Sequence, residues 1–413
     1  MKQKVPLSLT DQGLDSALPI GRQVVLFGAG IFAPPAIHAL RQRGLVPACI
    51  CDNCPDKHGT RVMGIPVLFP PEAWRAFPDA AVIITAASRY IDEICSQADG
   101  MGWMKVYDCS CLLASFEYDR NSFGTGVSAL YFDLDRYFYE YFLKFHPDMR
   151  VVPSIDVMIT EKCSLRCRDC ANLMQYYIHP QDLDFDELFN SLDILMKCVD
   201  HVLEFRLLGG ETFMNRRAHD YIEKLRHYGN FTRVAVYSNG TIVPKEGNLR
   251  CLIHEDVYLR VTDYGSLSRK IRAMAEVFVA DGVTHDTQKA DGWQDCAAIL
   301  KRERTPAELE TVYANCCANK TLTLLKGRVY VCPFAANASN LGALPPFPED
   351  ILQLDVRRSR QEMRGRLFDM SRTRKFFSAC EYCAGRPVGA APLRAAIQAS
   401  APLPYKRLCE GDG

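Results

Sequence analysis

Cys163, Cys167 and Cys170 stand in the stretch TEKCSLRCRDCA, Thr160 to Ala171, directly after the apolar run Ile155 to Ile159. Cysteine thiolates are soft ligands. Three of them on one short loop can each hold a different iron of a cubane 4Fe-4S cluster and leave the fourth iron without a protein ligand. An open iron can bind and reduce a substrate or cosubstrate, so all three cysteines are candidate catalytic residues as well as metal ligands. A structural zinc site and unligated buried thiols are the competing readings. Against zinc, no histidine or cysteine follows within a few residues to complete a tetrahedron.

Further along, polar or glycine-rich clusters follow predicted strands. Val202 to Leu208 leads into Gly209-Gly210-Glu211, where backbone free of side chains can approach a ligand closely. Arg233 to Tyr237 leads into Ser238-Asn239-Gly240-Thr241, and Val257 to Val261 into Thr262-Asp263-Tyr264-Gly265. Residues at the carboxyl ends of successive parallel strands face one mouth. A helix from about Asp184 to Val199, with Leu188, Leu192, Leu195 and Val199 on one face, separates the first two strands. His285, Trp293 and Asp295 are either substrate contacts or ordinary loop residues.

In this order the landmarks resemble the radical S-adenosylmethionine (SAM) superfamily. The resemblance implies a 4Fe-4S cluster on Cys163, Cys167 and Cys170, with SAM held at its open iron. It further implies Gly209, Gly210 and Glu211 beside the methionyl amino group, with Ser238, Asn239 and Asp263 near the ribose and carboxylate. Asp169 replaces the usual aromatic before the third cysteine. The implied reaction is one-electron cleavage of SAM to a 5'-deoxyadenosyl radical that takes a hydrogen atom from the substrate. An electron donor such as flavodoxin or ferredoxin is implied as partner. LMQYY after the triplet and CPFAANASNLGALP after Cys332 resemble a bacterial group described as 4Fe-4S single-cluster proteins, over roughly residues 151 to 390.

A second cysteine set follows. Leu322 to Leu325 and Val329 to Val331 around Lys326-Gly327 read as a hairpin. With Cys316 or Cys317 before it, Cys332 after it and the pair Cys380 and Cys383, this resembles a twitch module, a shortened SPASM domain, implying an auxiliary 4Fe-4S cluster. Structural zinc is the alternative. Cys296 is an alternative ligand, and Cys409 reads as a bystander.

At the other end, a strand from Arg22 to Phe27 runs into Gly28-Ala29-Gly30 and a helix, Pro35 to Arg43, and a second strand ends at Asp52. Glycines there permit phosphate approach, and an acid can accept from ribose hydroxyls, so Gly28, Gly30 and Asp52 are candidate nucleotide contacts. Pro34 and Pro35 remove first-turn amides that a pyrophosphate would use. A purely structural domain is the competing reading. The run CDNCPDKHGTRVMGIPVLFPPE resembles the amino-terminal module of sugar acyltransferases and other polysaccharide-biosynthesis proteins, which implies a nucleotide-sugar-binding unit. Cys49, Cys51 and Cys54 read as buried or surface thiols rather than a metal site.

The expectation is an α/β protein in five parts: a Rossmann-like parallel sheet (1–113), a helical linker rich in aromatics (114–150), a partial (β/α)6 radical SAM barrel (151–295), a small cluster-binding α+β extension (296–390) and a tail (391–413). Forty-nine basic residues balance 49 acidic ones in 413, so charge points to neither nucleic acid nor a membrane surface. No segment reads as a signal peptide or membrane span, and 18 cysteines in short spacings suit a reducing compartment, hence the cytoplasm. The substrate expectation is a small molecule, a nucleotide-linked sugar or relative. A ribosomally made peptide is the alternative, and a non-catalytic iron-sulfur protein is the inert one.

Overall fold

The computed structural model describes residues 23–114, 126–290, 292–387 and 391–408. Cys409 lies outside them. The chain divides into two compact units, Met1–Met149 and Arg150–Gly413. Each is built on its own predominantly parallel sheet.

In the first unit, β1 (Val24–Phe27), β2 (Cys49–Cys51), β3 (Arg61–Val62), β4 (Ile65–Leu68), β5 (Ala81–Ile84) and β6 (Val106–Asp108) lie in the order β3-β4-β2-β1-β5-β6. All pairs are parallel except β3 with β4. The central strands are apolar on both faces, as a sheet covered on both sides requires. The aromatic helix Val127–Phe145 falls within this unit. It buries Tyr137, Phe138, Tyr141 and Phe142, sets the Tyr137 ring 5.0 Å from Phe32, and accepts a hydrogen bond from Ser88 Oγ at the Tyr137 carbonyl (3.0 Å).

The second unit carries β7 (Val151–Thr160), β8 (His201–Gly209), β9 (Phe231–Ser238), β10 (Val257–Asp263), β11 (His285–Lys289), β12 (Thr321–Leu325), β13 (Arg328–Tyr330) and β14 (Leu352–Gln353). Their order is β11-β10-β9-β8-β7-β12-β13-β14. The first six in that order are parallel. The hairpin expected in a separate extension therefore joins the main sheet, because β12 pairs in parallel with β7. Its two-residue turn, Lys326-Gly327, has both φ angles positive (46° and 69°), the backbone that matches strand twist and that glycine tolerates best. The helix Phe185–Cys198 between β7 and β8 starts at Asp184, whose carboxylate accepts from Glu187 N (2.7 Å), and buries Leu188, Leu192 and Leu195.

One face of the parallel strands is apolar and covered by helices. The other carries polar residues toward the middle of the strands: Asp156 of β7, Glu204 and Arg206 of β8, Tyr258 and Arg260 of β10. Arg206 Nε donates to Asp156 (2.6 Å) and its NH2 group to Thr321 of β12 (2.9 Å). Tyr258 donates to Glu204 (2.6 Å) from two strands away, passing over the small Ala235 of β9. Buried charge is tolerated there because it is paired.

His201, at the amino end of β8, faces Thr232 across β9 (2.8 Å) and is almost fully buried. Burial, with the Arg233 guanidinium nearby, depresses it to about 3. The unfolded chain binds a proton that the folded chain refuses between about 3 and the ordinary value of 6.5. Stability is thus retained above that window and lost, by up to about 5 kcal/mol, as pH falls through it. His201→Gln is expected to flatten this acid limb, read as urea midpoints at pH 5 and pH 7.5 against the parent chain.

Candidate functional site

Parallel order brings the carboxyl ends of β7 to β10 to one edge, and a cavity of about 290 Å³ opens there. Its lining includes Cys163, Cys167, Cys170, Gly209, Gly210, Ser238 and Asn239. Cys163 and Asn239, 76 positions apart, thereby meet.

The motif loop is held from below. Thr160 Oγ1 donates to Asp182 (2.7 Å), and Lys162 forms an ion pair with the same carboxylate. Buried Glu161 accepts from Gln181 N, Asn340 and Lys326, which fastens the loop to the hairpin turn. On the cavity side, Gly209 and Gly210 press directly on this loop. A Cβ at Gly209 would lie 2.2 Å from the Thr160 carbonyl oxygen, and one at Gly210 would lie 2.1 Å from that of Lys162. Asn172 Nδ2 donates to the Gly209 carbonyl (2.8 Å), closing the loop over the glycines.

Glu211 points elsewhere than the cavity. Its carboxylate is fully buried and accepts from Asn239 N (2.7 Å), Ser238 Oγ (3.0 Å) and Phe213 N (3.2 Å), so it joins the end of β8 to the end of β9. Burial pushes it up to about 7 against those donors, which favour the ionised form. Asn239 Nδ2 then reaches Ser164 Oγ (3.0 Å) and Cys163 Sγ (3.6 Å). Asp263 does not line the cavity; its carboxylate accepts from Gly265 N (2.8 Å), while Thr262 and Tyr264 on either side do line it. His285 sits at the amino end of β11 against Phe278, as a core histidine, and Asp295 is exposed. Trp293 lines the cavity, edge-on to Tyr264.

The segment expected as a tail lies along the motif loop. Arg168 N donates to Ile397 O (2.8 Å), Ala399 N to Arg166 O (2.7 Å), and Gln398 Nε2 to Cys167 Sγ (3.2 Å). Burial raises all three motif thiols, Cys167 to about 11. Each must release a proton on taking up a metal.

The second cysteine set lines a smaller pocket, where Cys316, Cys332, Cys380 and Cys383 are joined by Tyr313 and Phe334. Backbone amides aim at three of these sulfurs: Ala318 N at Cys316, Ala335 N at Cys332 and Gly385 N at Cys383, each 3.4 Å. The adjacent Cys317 faces the first cavity with Cys296, and its sulfur contacts Gln294 (3.5 Å). Contact with Cys316, aided by Arg386, lowers the Cys317 thiol. Among the described residues no three His, Cys, Asp or Glu side chains are drawn in around a single-ion position.

In the first unit, Gly28 (φ 119°) abuts the end of β5, where a Cβ would meet the Thr85 carbonyl oxygen at 2.9 Å. Gly30 is exposed, with open space beside it. Asp52 accepts from Ala29 N (2.7 Å), Cys54 N (2.8 Å) and Lys57 (2.9 Å), and these donors lower it despite the opposing effect of burial. The carboxylate thus ties the glycine turn to the following loop and keeps about one acceptor site of about four. In the helix Ala33–Gln42 that follows, Ala33 N and Ala36 N are bonded to Gly30 O and Phe32 O, and Pro34 and Pro35 have no amide hydrogen. Cys49 and Cys51 are buried thiols, Cys49 pushed up to about 12 by burial.

No family model matches the chain. It is 29% identical over 100 residues to the GTP 3',8-cyclase of Campylobacter fetus subsp. fetus (strain 82-40), a match covering 24% of this chain and 30% of that protein. The chain therefore spans less than a third of that curated relative. Among solved structures it is similar to BtrN in complex with AdoMet and 2-DOIA, at TM-score 0.40 and 15% identity over 61% of this chain and 98% of that one. It is also similar to Streptococcus suis SuiB bound to precursor peptide SuiA, at TM-score 0.29 and 15% identity over 47% and 45%.

Sequence reasoning missed Arg386, Gln398 and Gln294, which the fold brings to the cavity or its thiols and none of which sits in a recognisable spacing; from the strand-end cluster of β10 it chose Asp263 where Thr262 and Tyr264 line the cavity. Gly210→Ala is expected to displace the Lys162 carbonyl at a cost of about 1–3 kcal/mol. Gly229→Ala, in the same unit with nothing within 4 Å of its added Cβ, is expected to leave the thermal midpoint in place, and melting curves of the two variants measure the contrast.

Proposed function

We propose that this chain is a radical SAM enzyme, with the cavity at the strand ends as its cofactor and substrate chamber. The carrying observation is that the three motif thiols, the glycine pair and the Ser238-Asn239 strand end line the same cavity. The 100-residue likeness to a GTP 3',8-cyclase supports an enzyme reading.

The donor set fits an iron-sulfur cluster. Cys163, Cys167 and Cys170 offer three soft sulfurs, and Asn239 and Gln398 each direct an amide nitrogen at one of them, the kind of hydrogen bond that tunes such clusters. When bound, a 4Fe-4S cluster with SAM supplies one-electron cleavage to a carbon radical. The chain's own work is placement and exclusion. Gly209 and Gly210 keep the cavity wall free of side chains, Glu211 and Asn172 hold that wall against the loop, and Tyr264 and Trp293 add an aromatic pair to the lining. We read the six parallel strands as the partial barrel and Cys316, Cys332, Cys380 and Cys383 as ligands of an auxiliary cluster. Of the adjacent pair we choose Cys316, since Cys317 lines the other cavity.

For the substrate, the reading is a small molecule linked to a nucleotide, with the first unit read as a nucleotide-sugar-binding unit.

Anaerobic loading of the full chain with iron and sulfide, followed by dithionite and SAM, is expected to release 5'-deoxyadenosine. Cys167→Ala is expected to abolish that release while the chain retains the iron of the second set. A fully loaded chain that releases none, or a chain that takes up zinc in preference to iron, defeats the reading. Calorimetric titration of the full chain is expected to show binding of a UDP-sugar that Asp52→Ala weakens several-fold. Affinity for a precursor peptide with no nucleotide-sugar binding would replace the substrate class.

A further inference from the structure

A single guanidinium stands between the two sulfur-lined cavities. Arg386 lines the larger one, with Cys163, Cys167 and Cys170, and also the smaller one, with Cys316, Cys332, Cys380 and Cys383. Its NH2 group donates to the carbonyl of Ala171, the residue after Cys170 (3.0 Å). Its own carbonyl accepts from Cys317 N (3.0 Å), and the next residue, Pro387, is bridged to Cys316. One residue therefore grips the loop of the first set by its side chain and the start of the second by its backbone.

Arg386 is half-buried, and withdrawing a guanidinium from water is unfavourable unless negative charge offsets it. A neutral carbonyl at Ala171 offsets little of this. The groups around Arg386 that favour its charge are Cys296, Cys332, Cys383 and Cys317, and Arg386 in turn favours the thiolates of Cys170, Cys332 and Cys383. Asp156 also feels this cation but is paired with Arg206. The cation thus sits among sulfurs of both sets.

We propose that Arg386 is a positioning residue shared by the two cluster sites, raising the reduction potentials of both by its charge and seating the motif loop by its hydrogen bond; this rests on the reading above. Each reduction adds one electron from an external donor, and hence one negative charge, to a site and moves no atom. A fixed positive charge nearby favours the reduced form in proportion to its proximity. Because Arg386 touches both pockets, its removal must act on both.

The test is a redox titration of the full chain, loaded anaerobically with iron and sulfide and followed by electron paramagnetic resonance, comparing the parent with Arg386→Gln and Arg386→Lys. Arg386→Gln is expected to shift both midpoints to more negative potential. Arg386→Lys, keeping the charge without the planar fork, is expected to leave both near the parent values. An unmoved midpoint at either site in Arg386→Gln overturns the inference, as does a shift in Arg386→Lys as large as that of the glutamine variant. Should Arg386→Gln fail to load iron, the lysine variant decides: it must load both sites at parental potentials, and any displacement overturns the inference. A parent chain without two distinct signals defeats the cluster reading as well, whereas two parental signals with unmoved potentials defeat this inference alone.

Discussion

Two strand ends approach more closely than side chains allow, and the site depends on that approach. Backbone of Gly209 and Gly210 lies where a Cβ would fall about 2 Å from carbonyl oxygens of Thr160 and Lys162. Such contact is possible only for glycine, and it fixes the height of the motif loop above the sheet. Backbone bonds from Gly210 N to Thr160 O (3.1 Å) and from Glu211 N to Lys162 O (2.8 Å) hold the position. The glycines therefore serve the loop at least as much as any ligand: they bring the cysteine backbone down to the strand ends.

Glu211 extends the same constraint sideways. A carboxylate that receives two backbone amides and a hydroxyl in a dry setting is a strong, directional tie, provided all its donors are present. It fixes the turn that carries Asn239, whose side chain in turn reaches Cys163 and Ser164. From β8 to β9 and back to the loop after β7, the ends of three strands form a closed circuit of bonds. The inner face of the sheet adds a second set of polar contacts, where Arg206 pairs with Asp156 and Glu204 accepts from Tyr258.

Legibility in the sequence followed locality. The cysteine spacing, the Gly-Gly-Glu and Ser-Asn-Gly strand ends and the Lys326-Gly327 turn are all short-range patterns, set by backbone geometry within a few residues, and all could be read. What the fold does with Glu211 and Asp52 could not. Each carboxylate is spent on backbone amides, and for Asp52 the amide of Ala29 lies 23 positions away. Nothing in the spacing distinguishes a carboxylate that ties two loops from one that meets a ligand. The aromatic helix read as a linker carries the right period, but period alone does not say which unit receives its buried face. Residues 391–408 looked like a tail because they form no regular element; their order comes from isolated backbone bridges such as Cys167 with Gln398.

The assignment of neighbouring cysteines shows what the fold adds to a motif. Cys316 and Cys317 are equivalent in the sequence, yet a bridge between Cys316 and Pro387 and a bond from Cys317 N to Arg386 O fasten this turn to residues 386–387. The two thiols touch each other at the boundary where Arg386 also stands, Cys316 lining the smaller pocket and Cys317 the larger cavity. A difference the sequence leaves open between two adjacent residues thus comes from a segment far along the chain, which sets the neighbours that each sulfur meets.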